Sequence, residues 1–249
     1  MRKILLILML GLFFSCGQNS QSKKETPTKA KQAQNFLHLI GYSDKNASYQ
    51  LLDKAVNFYF VDNLKFLTAD DLKDTDAIFA FSFGQGDGTP PTPGGSNEGL
   101  AEICEQLFQL SDKKLHIYAQ WEIADVLLKN YQTPSTYKAD VKGEYLSTEG
   151  VLNQFMNFNN KKGINIKKVV VVAQRDHAFR VIKLVEKQNI KVIFGANSCT
   201  PNNGWDNYNC DKWGYFKNSS QPWTTNRGNF ITHELYWVNV AFLDGKINN

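Results

Sequence analysis

Cysteine is scarce, at four residues in 249, so the chain cannot be a disulfide-stapled miniprotein and has to rely on a buried core. Excess charge of one sign is lacking too, since the formal net charge is only +4. Six basic residues but a single acidic one fall within the first 35 positions, which leaves 22 basic against 23 acidic residues in the remainder. No Arg/Lys stripe interleaved with aromatics is present, and nucleic acid is therefore not expected as a partner. The common chemical signatures are missing as well: there is no HExxH, no GxSxG, no CxxC and no Walker lysine motif. None of the four histidines has a partner at metal-ligand spacing, so no metal site is expected, and no motif identifies a cofactor. What the chain does have is 42% hydrophobic and 13% aromatic residues, enough for a sizeable core.

The first residues speak to compartment. Arg2 and Lys3 precede an apolar run from Ile4 to Phe14 that is short for a membrane span and reads as a secretion signal. Ser15-Cys16-Gly17 closes that run and resembles the lipobox of bacterial lipoproteins, which implies lipidation of Cys16; an ordinary signal peptide with a chance cysteine is the alternative. The segment 16–35 is polar and lysine-containing, a flexible tether reaching at most roughly 65 Å. The expected organisation is a signal peptide over 1–15, a tether over 16–35 and one folded domain over 36–249. Such a chain would be lipid-anchored in the bacterial cell envelope and face the periplasm.

Within the domain, short apolar runs at 36–41, 77–83, 115–119, 169–173 and 190–194 read as strands. Apolar residues at three- and four-residue intervals predict helices over 48–59, 97–110, 122–130, 148–160 and 177–188, with a last helix over 229–242. This alternation predicts an α/β Rossmann-like three-layer sandwich around a mostly parallel sheet. Two long segments, 84–96 and 195–229, are rich in Gly, Pro, Asn and aromatics and fall outside that alternation. Cys199 and Cys210 lie in the second; a disulfide between them would contribute about 2.5–3 kcal/mol in the chain-entropy picture, with a zinc site as the weaker rival. Cys104 falls in a helical pattern as a small buried hydrophobe.

Ligands of parallel sheets bind beyond the carboxyl ends of the strands, so the residues that follow each strand are the candidates. After 77–83 come Gly84, Gln85, Gly86 and Asp87, a glycine turn whose backbone can approach a ligand closely, or simply a turn. After 115–119 comes Gln120-Trp121-Glu122, where the carboxylate either complements a helix dipole or enters the cleft. Ser147 and Thr148 open another helix, and capping alone would account for them. The densest junction follows 169–173: Gln174, Arg175, Asp176 and His177, with Arg180 one helical turn on. His177 could act as acid or base with Arg180 as an anion clamp, and Glu122 or Asp87 as a second carboxylate. The competing reading makes Asp176 the helix cap and Arg180 a structural ion partner.

In their order along the chain, Asp76-Ala77-Ile78, Gln120-Trp121-Glu122-Ile123-Ala124, Tyr145-Leu146-Ser147-Thr148-Glu149 and 170–180 resemble the YdcF-like family of domains of unknown function, which includes the SanA and ElyC envelope proteins. The segment from Val170 to Arg180 is the most specific part of that resemblance. It implies a Rossmann-like fold, often envelope-associated, with a cleft built from these junctions and no generally established reaction. The functional expectation is an envelope lipoprotein with a role in envelope maintenance that binds an anionic phosphate-containing small molecule, with its processing left open. The alternative is a non-catalytic module that docks an envelope protein through the aromatic loop 195–229.

Overall fold

A computed structural model of the chain describes residues 47–60, 64–86, 88–140, 146–198 and 219–248. The expected signal, Cys16, the tether, the strand over 36–41, Asp87, Cys199 and Cys210 lie outside the described residues. Five parallel strands, β1 (Ala77–Ala80), β2 (His116–Gln120), β3 (Tyr137–Ala139), β4 (Lys168–Val172) and β5 (Lys191–Ile193), form one sheet in the order β3-β2-β1-β4-β5. The helices are α1 (Ala47–Phe60), the short α2 (Ala69–Leu72), α3 (Gly95–Leu110), α4 (Trp121–Val126), α5 (Thr148–Lys162), α6 (Arg175–Glu186) and α7 (Arg227–Leu243). This is the expected α/β Rossmann-like sandwich.

The sheet is buried on both faces because its central strands are almost wholly apolar. Alternate residues point to opposite sides. Ala77, Phe79, Tyr118, Val169 and Val171 join α1, α5, α6 and α7 in one layer of core, while Ile78, Ala80, Ile117, Val170 and Val172 join α3 and α4 in the other. One expected helix differs in kind and one strand was not expected. The helix expected over 122–130 begins at Trp121 and widens at Leu127–Tyr131 into a π-helical turn, closed by Gln132 in the left-handed region. The strand β3 was not anticipated, because three residues with one exposed side chain between two more buried ones carry too little periodicity to read.

Helix ends follow their capping chemistry. Ser147 accepts a hydrogen bond from the Gly150 N–H at the start of α5, and α5 stops at Gly163 in a left-handed conformation. Cys104 is fully buried in α3 and unpaired, and burial pushes its thiol far above the usual range.

Phe155 of α5 is fully buried, with ring contacts to Phe79, Phe81, Tyr118 and Tyr137. Phe155→Ala is expected to cost about 3–5 kcal/mol in denaturant unfolding; a loss under about 1 kcal/mol would show that this aromatic cluster does not hold α5 to the sheet.

Candidate functional site

The strand order reverses between β1 and β4, where the chain turns from building one half of the sheet to the other, and a crevice opens beyond the strand ends at such a point. A cleft of about 710 Å³ lies there, walled by the segment after β1 (Ser82 to Gln85), the β2–α4 junction, the start of α5, and the facing sides of α6 and α7. Its floor is held by Asn97. This fully buried side chain accepts from the Phe83 N–H at 2.8 Å and donates to the carbonyls of Gly84 at 2.8 Å and Pro93 at 2.7 Å. Gly84 has φ +66°, which other residues adopt only under strain, and that turn brings the chain across the strand ends.

On one wall three helices meet at a charged group. His177 of α6 faces Glu234 of α7, Nδ1 to Oε1 at 3.2 Å, and Thr148 at the first position of α5, Nε2 to Oγ1 at 3.3 Å. Arg180, one turn along α6, donates from Nε and Nη2 to the two oxygens of Glu234, both at 2.9 Å. Glu234 is fully buried. Burial alone would raise its pKa, but the Arg180 guanidinium and His177 outweigh it and hold the carboxyl down at about 2. A second ion pair braces the same helices in the opposite sense: Arg227 of α7 donates from Nε and Nη2 to the buried Asp176 of α6 at 2.6 and 2.9 Å, and also to the Tyr59 carbonyl at the end of α1.

Across the cleft stands Glu122, only 2% exposed. Its Oε1 lies 3.4 Å from the Gln120 amide, whose oxygen in turn accepts from the Ser82 N–H. Its Oε2 is buried and has no hydrogen-bond partner. Burial dominates and pushes its carboxyl up to about 7, against the lowering effects of its own backbone N–H and Ser82. Two further buried polar atoms without a partner belong to cleft-lining residues: the Trp121 indole nitrogen and Nδ1 of His233. The His233 ring stacks on Trp223, with centroids 4.8 Å apart and planes 7° apart, and its Nε2 accepts from the Trp237 indole at 2.9 Å. An indole N–H can only donate, so Nε2 is bare and Nδ1 carries the proton. Burial lowers the His233 pKa, which keeps that ring neutral.

Of the residues singled out in the sequence, Gly84, Gln85, Gln120, Glu122, Thr148, His177 and Arg180 line the cleft. The others among the described residues have structural work. Gln174, not Asp176, caps α6, its side chain accepting from the N–H groups of Asp176 and His177. Asp176 is consumed by Arg227, and Arg175 donates to the Phe58 carbonyl at the end of α1. Ser147 caps α5, and Gly86 pairs with Ser219, where a Cβ would collide with the Thr92 hydroxyl. The Nε–Nη2 edge of the Arg180 guanidinium is taken up by Glu234. Glu234, His233, Trp121 and Trp223 were not anticipated as site residues. For Glu234 a signal was there: with Phe230, Ile231, Leu235, Val238 and Ala241 it falls on the buried stripe of α7, and a carboxylate on that stripe needs a partner.

Glu122 supplies a pH test. Its folded pKa lies above its unfolded value, so between about 4.5 and 7 the folded chain keeps a proton that the unfolded chain has released, and stability falls as pH rises through that window. Glu122→Gln removes this loss. The variant should gain on the order of 2–3 kcal/mol relative to the parent between pH 4 and pH 8, read by denaturant unfolding at each pH; a difference independent of pH would contradict the burial of this carboxyl. Among the described residues no group of three or more His, Cys, Asp or Glu is placed to hold a metal ion. Comparison of the chain with known proteins finds no matching family model, no similar curated protein and no similar solved structure.

Proposed function

We propose that the chain is a bacterial envelope lipoprotein, anchored through Cys16 and facing the periplasm, whose Rossmann-like domain binds and turns over an anionic, phosphate-containing small molecule in the cleft beyond β1, β2 and β4. The observation that carries this reading is a set of three buried polar atoms without partners on residues that line one cleft: Glu122 Oε2, Trp121 Nε1 and His233 Nδ1. Leaving a buried polar atom unsatisfied costs about 1–3 kcal/mol, so three around one cleft are best explained by a ligand that satisfies them.

Their chemistry indicates what the ligand presents. The indole and the neutral imidazole donate, and Glu122, held partly protonated near neutral pH, adds an O–H donor. Three neutral donors suit the acceptor oxygens of a phosphate ester without a free cation. The amide N–H groups of the first turn of α5 supply a fixed positive potential at the Thr148 side. Of the carboxylates around the cleft, Glu234 is paired with Arg180 and Asp125 meets Lys138 at 3.1 Å, while Asp140 adds a negative charge to the lining. A ligand of low net negative charge, such as a phosphodiester, fits this balance better than a polyphosphate. The leader, the polar tether and the resemblance of 170–180 to the YdcF-like signature support the envelope assignment.

Thermal unfolding with a panel of phosphodiesters, sugar phosphates, nucleotides and polyprenyl phosphates tests the binding. A ligand at 100 times its Kd adds about 2.7 kcal/mol, which should raise the midpoint by about 5–10 °C. Trp121→Phe, which keeps the ring and deletes the N–H, should weaken that ligand about 5-fold. No shift with any compound would overturn the assignment. Metabolic labelling with palmitate should mark the chain and leave Cys16→Ser unlabelled; equal labelling of both would remove the anchor.

A further inference from the structure

We propose that Thr148 is a nucleophile, with His177 as its base, Glu234 as the carboxylate that orients that base, and Glu122 as the acid for the leaving group. The inference deepens the reading of the cleft as a phosphate-ester site and rests on it.

The argument starts at Glu234. This carboxylate is fully buried, and Arg180 keeps it ionised, so it can only accept hydrogen bonds. Its Oε1 lies 3.2 Å from His177 Nδ1; Arg180 Nη2 lies farther from that nitrogen, at 3.4 Å, and makes its shorter bond to Glu234 Oε2 at 2.9 Å, so the closer, acceptor-only carboxylate places the imidazole proton on Nδ1 and leaves the lone pair on Nε2. That lone pair faces the Thr148 hydroxyl at 3.3 Å, a separation typical of a base and nucleophile before substrate draws them together. Hydroxyl, imidazole and carboxylate come from α5, α6 and α7, so the alignment is not a by-product of local helix geometry. Thr148 and His177 both line the cleft, and so does Glu122, whose Oε2 has no hydrogen-bond partner. A capping role does not use the Thr148 hydroxyl, because Ser147 already caps α5. A purely structural His177 would not need its second nitrogen turned to a hydroxyl on the cleft wall.

The chemistry balances with water as the second substrate. Thr148 Oγ1 attacks the phosphorus of a phosphate ester, an Oγ1–P bond forms, and the ester P–O bond breaks. The Thr148 proton passes to His177 Nε2, and the leaving alcohol takes the Glu122 proton. Water then attacks the phosphothreonine and the Oγ1–P bond breaks. The Glu122 carboxylate accepts the water proton, and His177 returns its proton to Thr148. The sum is an ester and water converted to an alcohol and a free phosphate group, with every protein group restored.

The test uses the full chain and a fluorophosphonate, which phosphonylates activated hydroxyls whatever the natural substrate. Mass spectrometry should locate the adduct on the peptide that contains Thr148. Thr148→Ser should retain it and Thr148→Val should lose it while unfolding at the same temperature as the parent. His177→Asn should slow labelling roughly 100-fold or more, and Glu234→Gln should slow it as well. Folded protein with no adduct on Thr148, or labelling unaffected by His177→Asn, would overturn the proposal. A phosphate-ester thermal shift that persists without an adduct would overturn the nucleophile and leave the binding reading intact; an adduct without any such shift would sustain the nucleophile and overturn the phosphate class.

Discussion

One fully buried carboxylate, Glu234, organises the functional end of this fold. A charge in that position is tolerated only because Arg180 meets it with two parallel hydrogen bonds and His177 with a third. Removing Arg180 would strand the Glu234 charge in a low-dielectric setting, at a cost of about 3–5 kcal/mol for a buried pair. The same interaction sets the distance between α6 and α7, and hence the width of the wall that carries His177. The Asp176–Arg227 pair repeats the brace with the charges reversed between the helices, and the Arg227 bond to the Tyr59 carbonyl ties in the end of α1. Near these charges the Tyr59 hydroxyl is buried without a partner, and burial, then Glu234 and Asp176, hold its pKa well above the usual tyrosine value.

The sheet makes this arrangement useful. Because β1 and β4 are neighbours at the point where strand order reverses, the segment after β1 and the helix after β4 diverge and leave a crevice between them. Apolar strands buried on both faces give that crevice a rigid base, so the groups around it are held by packing rather than by ligand. Two carboxyls on opposite walls then meet opposite fates for a stated reason. Glu234 has a guanidinium and stays ionised near pH 2, whereas Glu122 has only an amide and a hydroxyl beside it and keeps its proton up to about pH 7. Environments that push two carboxyls apart in this way separate an orienting base partner from an acid.

Much of the scaffold was legible from periodicity alone. The strands of Val and Ile and the helices with apolar residues every third or fourth position were placed within a few residues of where they lie. Junction logic also found part of the cleft, since Gly84, Gln120, Glu122, Thr148 and His177 all follow strands or open helices. What could not be read was pairing over distance. Arg180 looked like an open cation because its partner lies 54 residues away on a helix judged only by its apolar stripe. Asp176, next to a helix start, resembled a cap, yet Gln174 reaches the same N–H groups from one position earlier and frees Asp176 for Arg227. Local sequence constrains caps and faces; it does not say which of two neighbouring polar residues wins a long-range partner.

The central claim is that Glu234 holds His177 with its proton on Nδ1 and a bare Nε2 toward Thr148. Nitrogen-15 NMR of the imidazole rings, with His177 assigned through His177→Asn, reads this directly at neutral pH. The account predicts a protonated Nδ1 and an unprotonated Nε2 for His177, converted to another state by Glu234→Gln. A proton on Nε2 of His177, in a neutral or a cationic ring, would contradict it.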